Sequence, residues 1–123
     1  MRVLVCGSRD YRHRKIVDAF LFGLAHIEAD LVVIQGGAKG ADRFAKEWAE
    51  DFLPADNHIP FPADWEKHGK AAGPIRNQQM LDEGKPELVV AFLSKPLTES
   101  RGTADMVRRA KAAGLPTYIV GAA

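Results

Sequence analysis

The sequence holds one cysteine, Cys6. A single thiol cannot close a disulfide within the chain, so a packed core must hold the fold, and a reducing compartment is expected. Long apolar runs are missing too. Strand-like stretches such as Leu31-Val32-Val33-Ile34 fall far short of the roughly 20 residues a membrane span takes. Met1-Arg2-Val3-Leu4-Val5 is too short for a signal peptide and reads as a first strand. A cytoplasmic protein without membrane attachment is expected. Charge of one sign is not in excess: 17 Lys and Arg face 16 Asp and Glu, for a net charge of +1. Such balance argues against a broad nucleic-acid-binding face. His13, His26, His58 and His68 show no metal-ligand spacing and no accompanying acidic cluster, so no metal is expected.

What is present suffices for one domain over residues 1–123. The chain is 123 residues long and 46% apolar, enough to bury a core of its own. Short apolar runs bounded by turn residues recur at Val3-Leu4-Val5, Leu31-Val32-Val33-Ile34, Leu88-Val89-Val90-Ala91-Phe92 and Thr117-Tyr118-Ile119-Val120. They do not alternate apolar with polar, which predicts parallel strands covered on both faces. Helical spacing lies between them: Ile16, Val17, Phe20, Leu21 and Leu24, then Phe44, Ala45, Trp48, Ala49 and Phe52, then Ala104, Val107, Ala110 and Lys111. Gly114 and Pro116 stop the last helix. Alternating strands and helices of these lengths predict an α/β Rossmann-like three-layer sandwich with a mostly parallel sheet of about five strands.

The stretch from Pro54 to Pro74 is less regular. His58-Ile59-Pro60 is a candidate short strand suited to a sheet edge. Residues 63–73 read as a long loop, and loops of that length tend to carry function. Ile75 to Leu81 reads as a helix with Pro74 as its first residue.

Open parallel sheets bind ligands beyond the carboxyl ends of their strands, where strand order reverses. Three segments occupy such positions. After the first strand, Gly7 allows close backbone approach, Ser8 offers a hydroxyl and Arg9 a planar fork for an anion; the plainer alternative is a turn, with Asp10 capping the next helix. After the second strand, Gly36-Gly37-Ala38-Lys39-Gly40-Ala41-Asp42 turns into a helix whose first N–H groups and dipole favour phosphate. There Lys39 adds charge, and Asp42 either holds a ribose hydroxyl or complements the dipole. Lys39 lacks the Ser or Thr of a phosphate-binding ATPase loop, and the glycines do not fit the GxGxxG dinucleotide pattern. After the strand at Leu88–Phe92 come Ser94 and then Glu99-Ser100-Arg101-Gly102-Thr103, where Gly102 and Thr103 before the last helix repeat the N–H arrangement with a hydroxyl, or a Ser or Thr forms an ordinary cap. Between these segments, Trp65 could stack on a base or seal the loop onto the core, and Arg76 with Asn77 near a helix start suits a phosphate or substrate clamp. Cys6 reads as a small buried hydrophobe.

Taken in order, Gly7-Ser8-Arg9, the Gly36–Asp42 loop, Trp65 with Gly69-Lys70-Ala71-Ala72-Gly73-Pro74-Ile75-Arg76-Asn77, and Gly102-Thr103 resemble the SLOG superfamily of Rossmann-like nucleotide-binding proteins, in its YspA/YpsA-related branch. The resemblance spans nearly the whole chain. It implies a nucleotide or ADP-ribose-like ligand bound without a further cofactor, a sensor or binding module in phage-defence or stress systems, and room for a homo-oligomer through a helix face. Lonely-guy relatives are phosphoribohydrolases that use an arginine and the glutamate of a PGGxGTxxE pattern. Here Arg76 takes the arginine position, Gly102-Thr103 matches the GT, and Met106 stands where the glutamate would be. Asp105 falls one residue early, about 100° away around a helix. Arg76 and Asp105 are therefore the candidate catalytic residues of an alternative N-glycosidase acting on nucleoside monophosphates, with Asp42 and Glu99 as further carboxylates. A second alternative, DNA binding, follows from the related DNA-processing DprA/Smf proteins and from Arg12, Arg14, Lys15, Arg108, Arg109 and Lys111. The missing glutamate tilts expectation toward holding a nucleotide rather than cleaving it.

Overall fold

A computed structural model describes residues 1–121. Five strands alternate with helices: β1 (Arg2–Gly7), α1 (Arg14–Ile27), β2 (Val32–Gln35), α2 (Ala41–Phe52), β3 (His58–Pro60), α3 (Trp65–His68), α4 (Ala72–Gly84), β4 (Leu88–Leu93), α5 (Arg101–Ala112) and β5 (Thr117–Gly121). All four strand pairings are parallel, in the order β3-β2-β1-β4-β5. The fold is a Rossmann-like α/β sandwich of three layers.

The apolar runs become the central strands because both sheet faces are covered. Val3, Val5, Val33, Val90 and Phe92 point to one side, where Val17 and Leu21 of α1 and Ala45, Trp48 and Ala49 of α2 close over them. Leu4, Ile34, Val89 and Ala91 point to the other, against Met80 of α4 and Met106, Val107 and Ala110 of α5. Every residue of β4 is buried, which explains why no polar alternation marks it.

The outer strands differ. β3 is the short edge strand that Pro60 suits. β5 forms the opposite edge, and it departs from the expectation of cover on both faces: Tyr118 is 58% exposed and Ile119 44%. Nothing in an apolar run separates a central strand from an edge strand.

The region between β3 and β4 is also more ordered than its sequence suggests. Within 63–73, α3 forms where the Asp64 side chain accepts the Lys67 N–H at 3.0 Å, a local cap for an otherwise isolated turn. A 3-10 turn over Gly69–Ala71 leads directly into α4. Pro74 is consequently the third residue of α4, not its first. That costs no hydrogen bond, since the opening N–H groups of a helix have no partner within it.

Strand order reverses between β1 and β4. Chain running from β1 proceeds outward through β2 and β3, then returns past β1 to β4 and β5. Register pairs Cys6 with Ala91 and Gly7 with Phe92, so the carboxyl ends of β1 and β4 finish level. The loops leaving them diverge and leave a crevice.

Candidate functional site

A cleft of about 470 Å³ opens at this reversal point, within the range of small-ligand sites. Cys6 to Asp10 form one wall, Lys95 and Glu99 to Thr103 the other, with Ala38 and Asp42 from the glycine loop and α2, Arg76, Asn77 and Met80 from α4, and Met106 from α5.

Several expected residues converge here: Gly7, Ser8, Arg9, Asp42, Arg76, Asn77, Gly102 and Thr103 all line the cleft. Gly36, Gly37, Lys39, Gly40 and Trp65 do not. Trp65 lies half-exposed outside it, with the Arg9 guanidinium 5.8 Å from its ring centroid. That cation–π contact holds Arg9 at the rim. Ser100 and Arg101, read with Gly102 and Thr103 as part of the segment after the fourth strand, also line the cleft, and so does Lys95, which the sequence did not single out. Residues following β4 lie at the strand reversal just as those following β1 do.

The glycine loop is filled by the protein itself. Gly36 N–H and Ala38 N–H donate to Asp42 Oδ2 at 3.1 and 3.3 Å, and Gly37 N–H donates to Gln35 Oε1 at 2.5 Å. These three consecutive donors, the natural anion nest of the loop, are taken up by side chains. Gly40 serves packing. Its φ is +78°, and a Cβ there would run into the carbonyl oxygens of Ser8 and Arg9. Gly7 is equally confined, because a Cβ would meet the Phe92 carbonyl and Ala41. Both glycines let the loops after β1 and β2 lie against their neighbours.

The start of α5 is different. Ser100 is its N-cap but makes no side-chain cap bond; its Oγ lies 3.2 Å from Ser8 Oγ instead. Ser8 Oγ also accepts the Ser94 N–H, and Asp10 accepts from Ser94 Oγ rather than capping α1, which starts behind His13. Ser8 thus ties the two loops together. Arg101, Gly102 and Thr103 N–H groups meet no protein acceptor among the described residues, and no acid stands in the first turn. Nothing comes within 4 Å of where a Cβ on Gly102 would be. Free donors and the positive end of a 12-residue helix face the cleft together, an arrangement that favours an anion.

Arg76 is held from two sides. Nη1 donates to the Gly36 carbonyl, and Nε donates to Asn77 Oδ1 at 3.1 Å. Asn77, 3% exposed, donates in turn to the Gly102 carbonyl and to Asp105 Oδ2 at 3.2 and 3.0 Å. Asp105 also accepts from Arg108 and Arg109 at 2.5 and 2.8 Å. It therefore faces Asn77 and two arginines, does not line the cleft, and acts as a tie between α4 and α5. The rotation anticipated from its position, one residue before Met106, has this consequence. Met106 itself lines the cleft.

The electrostatics follow from burial. Burial raises the Asp42 carboxyl above the usual aspartate range, against the opposing pull of Arg76 and of the loop N–H groups. Arg76 is lowered by burial and supported by Asp42. Cys6 is pushed far up, first by burial and then by the Asp42 charge; with Sγ 3.6 Å from the Val90 carbonyl it stays a thiol. Asp105 lies below the usual range: burial alone would raise it, but hydrogen bonds from Arg109 and Asn77 outweigh that. Among the described residues no three His, Cys, Asp or Glu side chains are grouped so as to hold a metal ion, and no helix is long and apolar enough to cross a membrane.

A parallel sheet with a cleft at its strand reversal defines a Rossmann-like α/β protein. Residues 1–68 match the YspA, cpYpsA-related SLOG family. Across 124 aligned residues the chain is 40% identical to the "Gene 61 protein" of Mycobacterium phage D29, covering 98% of this chain and 96% of that protein. No solved structure matches. The chain belongs to the YspA, cpYpsA-related SLOG family.

Proposed function

We propose that this protein binds a nucleotide or nucleotide-derived phosphorylated ligand, as a sensor or binding module, in the cleft between β1 and β4. The observation that carries this is the start of α5. Its three unpartnered N–H groups open on the cleft beside Arg9, Arg76, Lys95 and Arg101. Backbone donors, a helix dipole and guanidinium groups are the means by which proteins hold phosphate. The phosphate accordingly sits at α5, and the glycine loop, occupied by Asp42 and Gln35, shapes the floor.

Cleavage is the weaker reading. Asp105 is turned away from the cleft, and Arg76 has no carboxylate within ion-pair distance among the described residues. DNA binding is weaker again, because Arg108 and Arg109 are both engaged by Asp105. Calorimetric titration with nucleoside mono-, di- and triphosphates and ADP-ribose tests the proposal. Saturable heat with at least one of them, reduced about tenfold or more in an Arg101→Ala/Lys95→Ala variant, is expected. No heat and no thermal shift with any of them would overturn it.

A further inference from the structure

Asp42 is 5% exposed, yet only half of its carboxylate is used. Oδ2 accepts both loop N–H groups. Oδ1 accepts no hydrogen bond from any described residue, and it is not among the side-chain oxygens sealed away from solvent. Asp42 lines the cleft, and Oδ1 is the oxygen that its own loop leaves unused. Arg76, the cation acting most strongly on it, forms no ion pair with it and spends Nη1 and Nε on the Gly36 carbonyl and Asn77. The fold therefore places a rigidly held acceptor at the floor of a cleft whose rim is built of donors.

We propose that Asp42 Oδ1 accepts a hydrogen bond from a ribose hydroxyl of the bound ligand and makes the site selective for ribonucleotides over their deoxy counterparts. The inference rests on the nucleotide reading above and adds the sugar to it. Oδ2 accepts two N–H groups, and Oδ1 offers the same kind of acceptor, which suits a hydroxyl that donates and does not suit the bare oxygens of a phosphate, so the phosphate is confined to the α5 side. Along a nucleotide the sugar hydroxyls lie a few bonds from the phosphate, which matches a cleft with anion donors on one wall and an acceptor at its floor. A site built to satisfy a hydroxyl rejects an analogue lacking it, because the buried polar group is then left unpaired.

The test titrates the wild-type protein with the four ribonucleoside 5′-monophosphates and their 2′-deoxy and 2′,3′-dideoxy counterparts. Loss of the hydroxyls is expected to weaken binding about tenfold or more, whichever base is preferred. Asp42→Asn, with its fold checked by circular dichroism, is expected to shrink that difference to within about twofold. Equal affinity for the ribo and dideoxy forms in the wild type would overturn the inference and leave the nucleotide reading standing. Persistence of the preference in Asp42→Asn would overturn it as well. Failure of these monophosphates and of the di- and triphosphates and ADP-ribose to bind would overturn both. The wild-type series needs no variant, so a misfolded Asp42→Asn does not rescue the proposal.

Discussion

Two helices of this fold start beside the same cleft, and they start in opposite ways. α2 follows a glycine loop whose N–H groups are already satisfied by Asp42 and Gln35. α5 follows a serine that leaves its own helix uncapped and ties instead to Ser8. By motif, the first is the stronger anion site; by geometry, the second is. A glycine-rich turn guarantees an unobstructed backbone, not a free one. Whether it can hold a ligand depends on whether a nearby carboxylate folds back into it. Asp42 sits six residues beyond Gly36 and does so. The outcome is one helix start spent on architecture and one left open.

The contrast breaks most sharply at the glycines. Gly40→Ala must place a Cβ against the Ser8 and Arg9 carbonyls at a φ of +78°, and backbone oxygens cannot swing aside as a side-chain tip can. A loss of about 3 kcal/mol in guanidinium unfolding is expected. Gly102→Ala meets nothing within 4 Å and lies at the second position of α5; stability should be unchanged or raised by up to about 1 kcal/mol. Equal costs at the two positions would show that both glycines are architectural and that the asymmetry is false.

A smaller effect is expected at Arg76, which offsets the buried Asp42 charge without contacting it. Arg76→Ala leaves that carboxylate with its two loop N–H groups and the weaker pull of Arg9. The expected cost at neutral pH is about 2 kcal/mol, below that of breaking a fully buried contact pair because Arg76 is itself partly exposed. If charge is the cause, the same substitution in an Asp42→Asn background should cost less than about 1 kcal/mol. Additive losses would instead assign the role of Arg76 to its bonds with the Gly36 carbonyl and Asn77.

How much of this was legible in the sequence depended on the range of the interaction. β1, β2 and β4 announce themselves through runs such as Leu88–Phe92, because burial on both faces leaves no place for polar residues. The edge position of β3 could be read from Pro60, since a residue without an N–H suits an edge. β5 could not be told from a central strand: Tyr118 and Ile119 belong to an apolar run like that of Val89 and Val90, yet among the described residues β5 lies at the sheet edge and both are exposed. Gly7-Ser8-Arg9, Arg76-Asn77 and Gly102-Thr103 reach the cleft because topology puts strand ends there. The engagement of the glycine loop, the turning of Asp105 toward Asn77 and the arrival of Lys95 all depend on where side chains point. Spacing along the chain does not carry that information. Helix α3 escaped notice because one Asp64 cap, not an apolar period, sustains it.

The finest difference between the two helix starts lies behind the loop, at His58. Gly37 N–H fixes Gln35 Oε1, so the amide nitrogen of Gln35 must face His58 Nε2, 3.1 Å away. An amide nitrogen only donates, hence His58 Nε2 must accept and the ring must be neutral. Burial lowers the His58 pKa beneath its ordinary 6.5; Glu50 raises it and Lys46 lowers it further to smaller extents. Above pH 6.5 both folded and unfolded chains carry a neutral imidazole, and its contribution to stability is complete. As pH falls below 6.5 the unfolded chain takes up the proton first, so stability declines until the folded pKa is passed and then levels. His58→Gln keeps an acceptor for Gln35 and removes the titration. The unfolding midpoint of the wild type should drop relative to His58→Gln between pH 7.5 and pH 5, with the two curves parallel above that window. A wild-type advantage that grows on acidification would mean that the ring is protonated against Gln35, and that the glycine loop is not held from behind by a neutral histidine. The start of α5 has no such support, and its unpartnered N–H groups should be insensitive to this substitution: nucleotide affinity of His58→Gln measured at pH 7.5 should match the wild type within about twofold.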